Sequence, residues 1–124
     1  MSGSSSCIAQ ARHHAASFLA RVRTEQDVPV SASAVDLTQL VVSELVTNAR
    51  VHAPGPARMD LRVADDTVEV SVQDSARTRP VARGVDPRRI GQHGLEIVQA
   101  IAQAVHVRLG PSGKRVSARI ALSR

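Results

Sequence analysis

Two alternating segments restrict this chain most. "ARMDLRVA" (residues 57–64) and "TVEVSVQD" (67–74) are joined only by Asp65-Asp66. Alternation puts every second side chain on one face of a strand, and two such runs across a two-residue link are a hairpin signal. "VHVRLG" (105–110), the turn "PSG" (111–113) and "KRVSARIAL" (114–122) predict a second hairpin. A sheet with one apolar face needs a cover, and three helical patterns supply it. Residues 7–24 align Ile8, Ala11, Ala15, Phe18, Leu19 and Val22. Residues 34–52 align Leu37, Leu40, Val41, Leu45 and Val51, and "LEIVQAIAQAV" (95–105) aligns Leu95, Val98, Ile101, Ala102 and Val105. "TEQDVPVSAS" (24–33) reads as a connector in which Pro29 forbids helix, Ser31 or Ser33 caps the second helix, and "APGP" closes it. The order is helix, helix, two strands, loop, helix, two strands. It predicts an α+β fold, a two-layer sandwich with an antiparallel or mixed sheet and helices on one face. "MSGSSS" (1–6) reads as a disordered tail and 7–124 as one domain.

Composition narrows the function classes. A chain of 124 residues can hold one core, and none of its apolar runs approaches the ~18 residues of a membrane span. The N-terminal stretch lacks the apolar region of a signal peptide. Cys7 is the single cysteine, which excludes an internal disulfide and a cysteine-rich metal site. These features point to the cytoplasm. The net charge of +5 invites a nucleic-acid partner. The arginines are scattered, however, and Phe18 is the only aromatic side chain on which a base could stack, which argues against that partner.

Three places are not explained by packing. Glu44 and Asn48 fall within the apolar stripe of the second helix, with His52 a turn later. A buried carboxylate or amide needs a partner, whether a cap, a strand or a ligand. Asp74 continues the phase of Val68, Val70 and Val72 and so sits on the inward face at a strand end, as a turn cap or as a pocket floor. "GQHGL" (91–95) places two glycines at the start of a helix, where free N–H groups attract anions. It follows "SARTRPVARGVDPRRI", a long aperiodic loop rich in arginine.

Together these places resemble the GHKL nucleotide-binding fold, the Bergerat-type ATP-binding domain of histidine kinases and type II topoisomerases. The nearest resemblance is to single-domain anti-sigma-factor serine/threonine kinases of actinobacteria. "ELVTNARVH" matches the family's E-x-x-x-N-x-x-x-H box through Glu44, Asn48 and His52. "DSART" stands where the family has D-x-G-x-G, so Asp74 remains while Ala76 and Thr78 replace the glycines. "GQHGL" resembles the second glycine box. "SGKRVSARIAL" resembles the closing segment, with Gly113 and Lys114 retained and Arg115 where a threonine is common. The resemblance covers residues 8 to 122. The family's usual first strand has no counterpart ahead of residue 8.

The resemblance implies ATP and Mg²⁺ as cofactors. Asn48 would supply an oxygen to the metal and Glu44 would act as the catalytic base. Asp74 would hold the adenine amino group, with Ala76, Gly91, His93, Gly94, Leu95 and Lys114 around the nucleotide. Residues 75–91 would form a lid whose Arg83, Arg88 or Arg89 reach phosphate. The implied function is a kinase that phosphorylates an anti-anti-sigma (STAS) partner and sequesters a sigma factor, with homodimerisation left open. The alternative is a non-catalytic interaction module with a degenerate pocket.

Overall fold

A computed structural model describes residues 4–52, 57–75, 90–111 and 113–123; the side chains at 4–6, 52 and 90–94 lie outside that description. In chain order the elements are α1 (Ser4–Glu25), α2 (Ala32–His52), β1 (Arg58–Ala64), β2 (Thr67–Asp74), α3 (Ile90–Ile101), β3 (Ala104–Gly110) and β4 (Gly113–Ala121). The strands form one four-stranded sheet in the order β1-β2-β4-β3, antiparallel throughout. Both expected hairpins are present. Asp65 adopts φ 56°, a left-handed value that Asp tolerates better than most residues. The Thr67 hydroxyl donates to the Ala64 carbonyl at 3.0 Å and tightens the turn.

The boundaries move in three places. α1 begins at Ser4, ahead of the expected residue 7, so the helix takes in Ser4–Ser6. Ser31 is the residue that caps α2: the Ala34 N–H donates to its hydroxyl at 3.0 Å, and its own N–H donates to the Leu122 carbonyl at 2.8 Å. That second bond ties the start of α2 to the end of β4. α3 runs over Ile90–Ile101, earlier at both ends than expected. Ala102 therefore lies past the helix and Val105 lies in β3, although both still pack against the core.

The core lies between the layers. The sheet contributes Val68, Val70, Val72, Val116, Ala118 and Ile120. The helices contribute Ala15, Leu19 and Val22 from α1, Val41, Val42, Leu45, Val46 and Ala49 from α2, and Val98 from α3. α2 is the hub, because it touches α1, α3, β2 and β4. The Gln39 amide reaches from α2 to the Arg12 carbonyl of α1 at 3.1 Å. Leu40 and Val51, expected on the apolar stripe, are 38% and 54% exposed. With neighbours on several sides, α2 buries Val42 and Val46 and turns Leu40 and Val51 outward.

The opposite face of the sheet is polar. The register sets Asp60, Ser71, Ser117 and His106 in one row across the strands, and Arg58, Gln73, Arg115 and Arg108 in the next. The two serine hydroxyls lie 2.9 Å apart. Arg115 donates to Gln73 Oε1 and to Asp60 Oδ2, each at 3.2 Å. Arg62 pairs with Glu69 at 3.1 Å. A cavity of about 460 Å³ opens over this face.

Candidate functional site

The candidate residues come from α2, β2, β4 and the start of α3, and α2 packs on each of the other three. α2 carries Glu44 and Asn48 one turn apart, so both project toward the same side of the helix. Asn48 is buried at 1% exposure, whereas Glu44 is half-buried. α2 packs on α1, α3, β2 and β4, and the amide is buried within that packing.

Asp74 ends β2 in the inward phase predicted for it and is 4% exposed. Its cross-strand partner is Lys114. The Lys114 ammonium, with a side chain 0% exposed, stands 3.3 Å from Asp74 Oδ2. A buried carboxylate and a buried cation this close compensate each other's charge, and removing either would leave the other uncompensated. The lysine Nζ forms no hydrogen bond among the described residues. Lys114 thus brings charge compensation with donors to spare, at the end of the two central strands.

Gly113 makes this arrangement possible. Its φ is 138°, and a Cβ built there would lie 1.9 Å from the Asp74 carbonyl oxygen. Only a residue without a side chain lets β4 approach the last residue of β2 so closely. That approach fixes Lys114 opposite Asp74.

Arg115 does not stand near this carboxylate. Register and alternation send it to the outer face, where it holds Asp60 and Gln73. At the position where a threonine is common in the family, Arg115 thus points to the outer face, and Lys114 is the β4 residue beside Asp74. Sequence reasoning named Lys114 but missed its pairing with Asp74. The signal was available: a lysine in phase with Val116, Ala118 and Ile120 on a buried face.

Of the remaining candidates, Leu95 is half-buried against the core. Gly91, His93 and Gly94 fall inside the N-terminal end of α3, because the helix starts at Ile90. The N–H groups of the first four residues of a helix lack partners within the helix; Gly91 is one of these, whereas Gly94 falls at the start of the hydrogen-bonded ladder. Ala76, Arg83, Arg88 and Arg89 lie outside the described residues, as does most of the expected lid, residues 76–89.

The donor set fits a nucleotide. A buried carboxylate suits an exocyclic amino group, and an ammonium with unfilled donors suits a ligand acceptor. Among the described residues there is no cluster of three or more His, Cys, Asp or Glu side chains suited to a metal. A Mg²⁺ held by one side-chain oxygen, phosphates and water requires none. Among the same residues, no helix is long and apolar enough to cross a membrane.

The chain is similar in fold to histidine kinases of known structure. It matches the Acinetobacter baumannii histidine kinase AdeS with 13% identity and a TM-score of 0.55, over 73% of this chain and 48% of that one. It matches the histidine kinase domain of the Erythrobacter litoralis EL346 blue-light activated histidine kinase with 24% identity and a TM-score of 0.54, over 72% of this chain and 45% of that one. A longer structure of that kinase aligns with 25% identity and a TM-score of 0.57, over 76% of this chain and 32% of that one. The matches span less than half the length of those kinase chains. No curated protein matches the sequence. The profile of the histidine kinase-like ATPase domain matches residues 5–120. With that profile covering nearly all of its length, and with helices layered on one face of an antiparallel sheet, the chain belongs to the histidine kinase-like ATPase domain family.

Proposed function

We propose that the chain binds ATP with Mg²⁺ between its helix layer and its sheet, and acts as a serine/threonine protein kinase of the anti-sigma type. In this reading it modifies an anti-anti-sigma (STAS) partner and sequesters a sigma factor. The observation that carries the nucleotide reading is Asp74: a buried carboxylate in the inward phase at a strand end, in a chain of this family. Asp74 accepts the adenine amino group. Asn48 gives the metal a side-chain oxygen. The start of α3, at Gly91, meets the phosphates. Bound ATP supplies the γ-phosphoryl group. The half-buried Glu44, a turn before Asn48, takes the proton of a hydroxyl delivered by the partner.

Glu44→Ala is expected to retain Mg·ATP binding and to lose about 10²–10⁴ in phosphoryl transfer, the usual contribution of a general base. Asn48→Ala is expected to lose the Mg²⁺ dependence of binding. The measurement is radiolabel transfer to a STAS-domain substrate, together with calorimetry of each variant. Wild-type rates in Glu44→Ala would remove the role given to Glu44.

The second reading, an interaction module without turnover, draws support from the outer face. Arg58, Arg62, Arg108, Arg115 and Arg119 outnumber Asp60 and Glu69 there, around an open cavity. That surface suits an acidic protein partner whose association weakens with salt.

A further inference from the structure

Lys114 is the only fully buried cation among the described residues, and the largest of their fully buried side chains. Its ammonium neutralises Asp74 at 3.3 Å. Neutralisation accounts for the charge but not for the donors. An ammonium carries three N–H donors, and Nζ has no hydrogen-bond acceptor among the described residues. Buried donors left unfilled are costly, and an uncharged pair would fill the same volume more cheaply. The ammonium is therefore positioned for an acceptor brought by a ligand.

The edge of a purine base supplies one. Adenine presents an amino donor at position 6 beside the bare acceptor N1. A 6-oxopurine presents an acceptor at position 6 beside an N1–H donor. A carboxylate alone suits the first pattern and opposes its lone pairs to the 6-oxo group of the second. A carboxylate with an ammonium beside it offers an acceptor and a donor together. It can take the amino group on Asp74 with N1 on Lys114, or the 6-oxo group on Lys114 with N1–H on Asp74.

We propose that Lys114 is a specificity-determining residue that makes the base subsite tolerant of purines, so that it takes 6-oxopurine nucleotides as well as adenine nucleotides. This rests on the reading that Asp74 is the base-contacting carboxylate. It differs from that reading in its consequence, because Asp74 alone predicts selection for adenine.

The test is calorimetric titration of Mg·ATP and of Mg·inosine triphosphate into the full chain, with Mg·UTP as a control. Wild type is expected to bind the two purine nucleotides within about tenfold of each other. Lys114→Met, close to lysine in length and without donors, is expected to raise the inosine-to-adenine Kd ratio by about tenfold or more, the usual discrimination of a paired base contact. Lys114→Gln keeps a neutral donor and is expected to keep part of the tolerance. A ratio of Kd values cancels general damage to the pocket, so a merely structural lysine would leave it unchanged. A wild-type ratio above about a hundred overturns the proposal and leaves the ATP reading standing, and that result needs no variant to fold. An unchanged ratio in Lys114→Met also overturns it. Wild type that binds neither purine nucleotide overturns both readings, and a Mg·UTP affinity equal to that for ATP overturns the assignment of a base subsite.

Discussion

Gly113→Ala is expected to destabilise the domain by about 3–5 kcal/mol, the sum of a backbone conformation reserved for glycine and a forced displacement of packed structure. The added methyl would meet the Asp74 carbonyl oxygen at 1.9 Å, with the Asp74 carbonyl carbon at 3.0 Å and Ser75 Cα at 3.1 Å. All three are backbone atoms, so no side-chain rotation relieves the overlap. Either β4 separates from the end of β2 or the turn before it rebuilds, and both outcomes move Lys114 away from Asp74. At about 4 °C per kcal/mol for a domain of this size, the melting temperature falls by roughly 10–20 °C. Gly110 is the internal control. It sits across the same turn, and a methyl there meets nothing within 4 Å, so Gly110→Ala is expected to melt close to wild type. Equal melting of the two variants would contradict the close approach of the strands.

The second large effect concerns the buried ion pair. Asp74→Asn leaves the Lys114 ammonium in the interior facing a neutral amide. Removing one member of a buried pair typically costs about 3–5 kcal/mol, because the remaining charge has lost its compensation. Asp74→Asn combined with Lys114→Met removes both charges and is expected to recover most of that loss. Denaturant unfolding of wild type, the single variant and the double variant measures the recovery. A double variant as unstable as Asp74→Asn would mean that volume and packing, not charge, set the cost at this position.

How far the sequence reveals this molecule depends on the range of the physics involved. Alternation is local, so both hairpins and the inward phase of Asp74 were legible, and hydroxyl chemistry narrowed the cap to Ser31 or Ser33, of which the structure uses Ser31. The limits of α3 were harder to place, because Gly91 and Gly94 look like residues that precede a helix, whereas the helix runs through them from Ile90. The sides of α2 required knowledge of its neighbours: with packing from both layers, Val42 and Val46 are buried and Leu40 is not. The Asp74–Lys114 pair depends on the register between β2 and β4, whose paired residues lie 40 positions apart and are joined by no direct turn. Sequence resemblance named both residues of that pair, but only the register brings them within 3.3 Å. The same register sends Arg115 to the other face.

The most direct test of the account is whether nucleotide binds where Asp74 and Lys114 meet. Titration calorimetry of Mg·ATP into the wild-type chain is expected to give saturable one-to-one binding. At a ligand concentration about 100 times Kd, the fold should gain about 2.7 kcal/mol and melt roughly 10 °C higher. The double variant Asp74→Asn/Lys114→Met, which keeps the fold without the paired charges, is expected to show neither the heat nor the shift. Wild type that gives no heat and no melting shift with millimolar Mg·ATP, or a double variant that binds as wild type does, would contradict the assignment of the site.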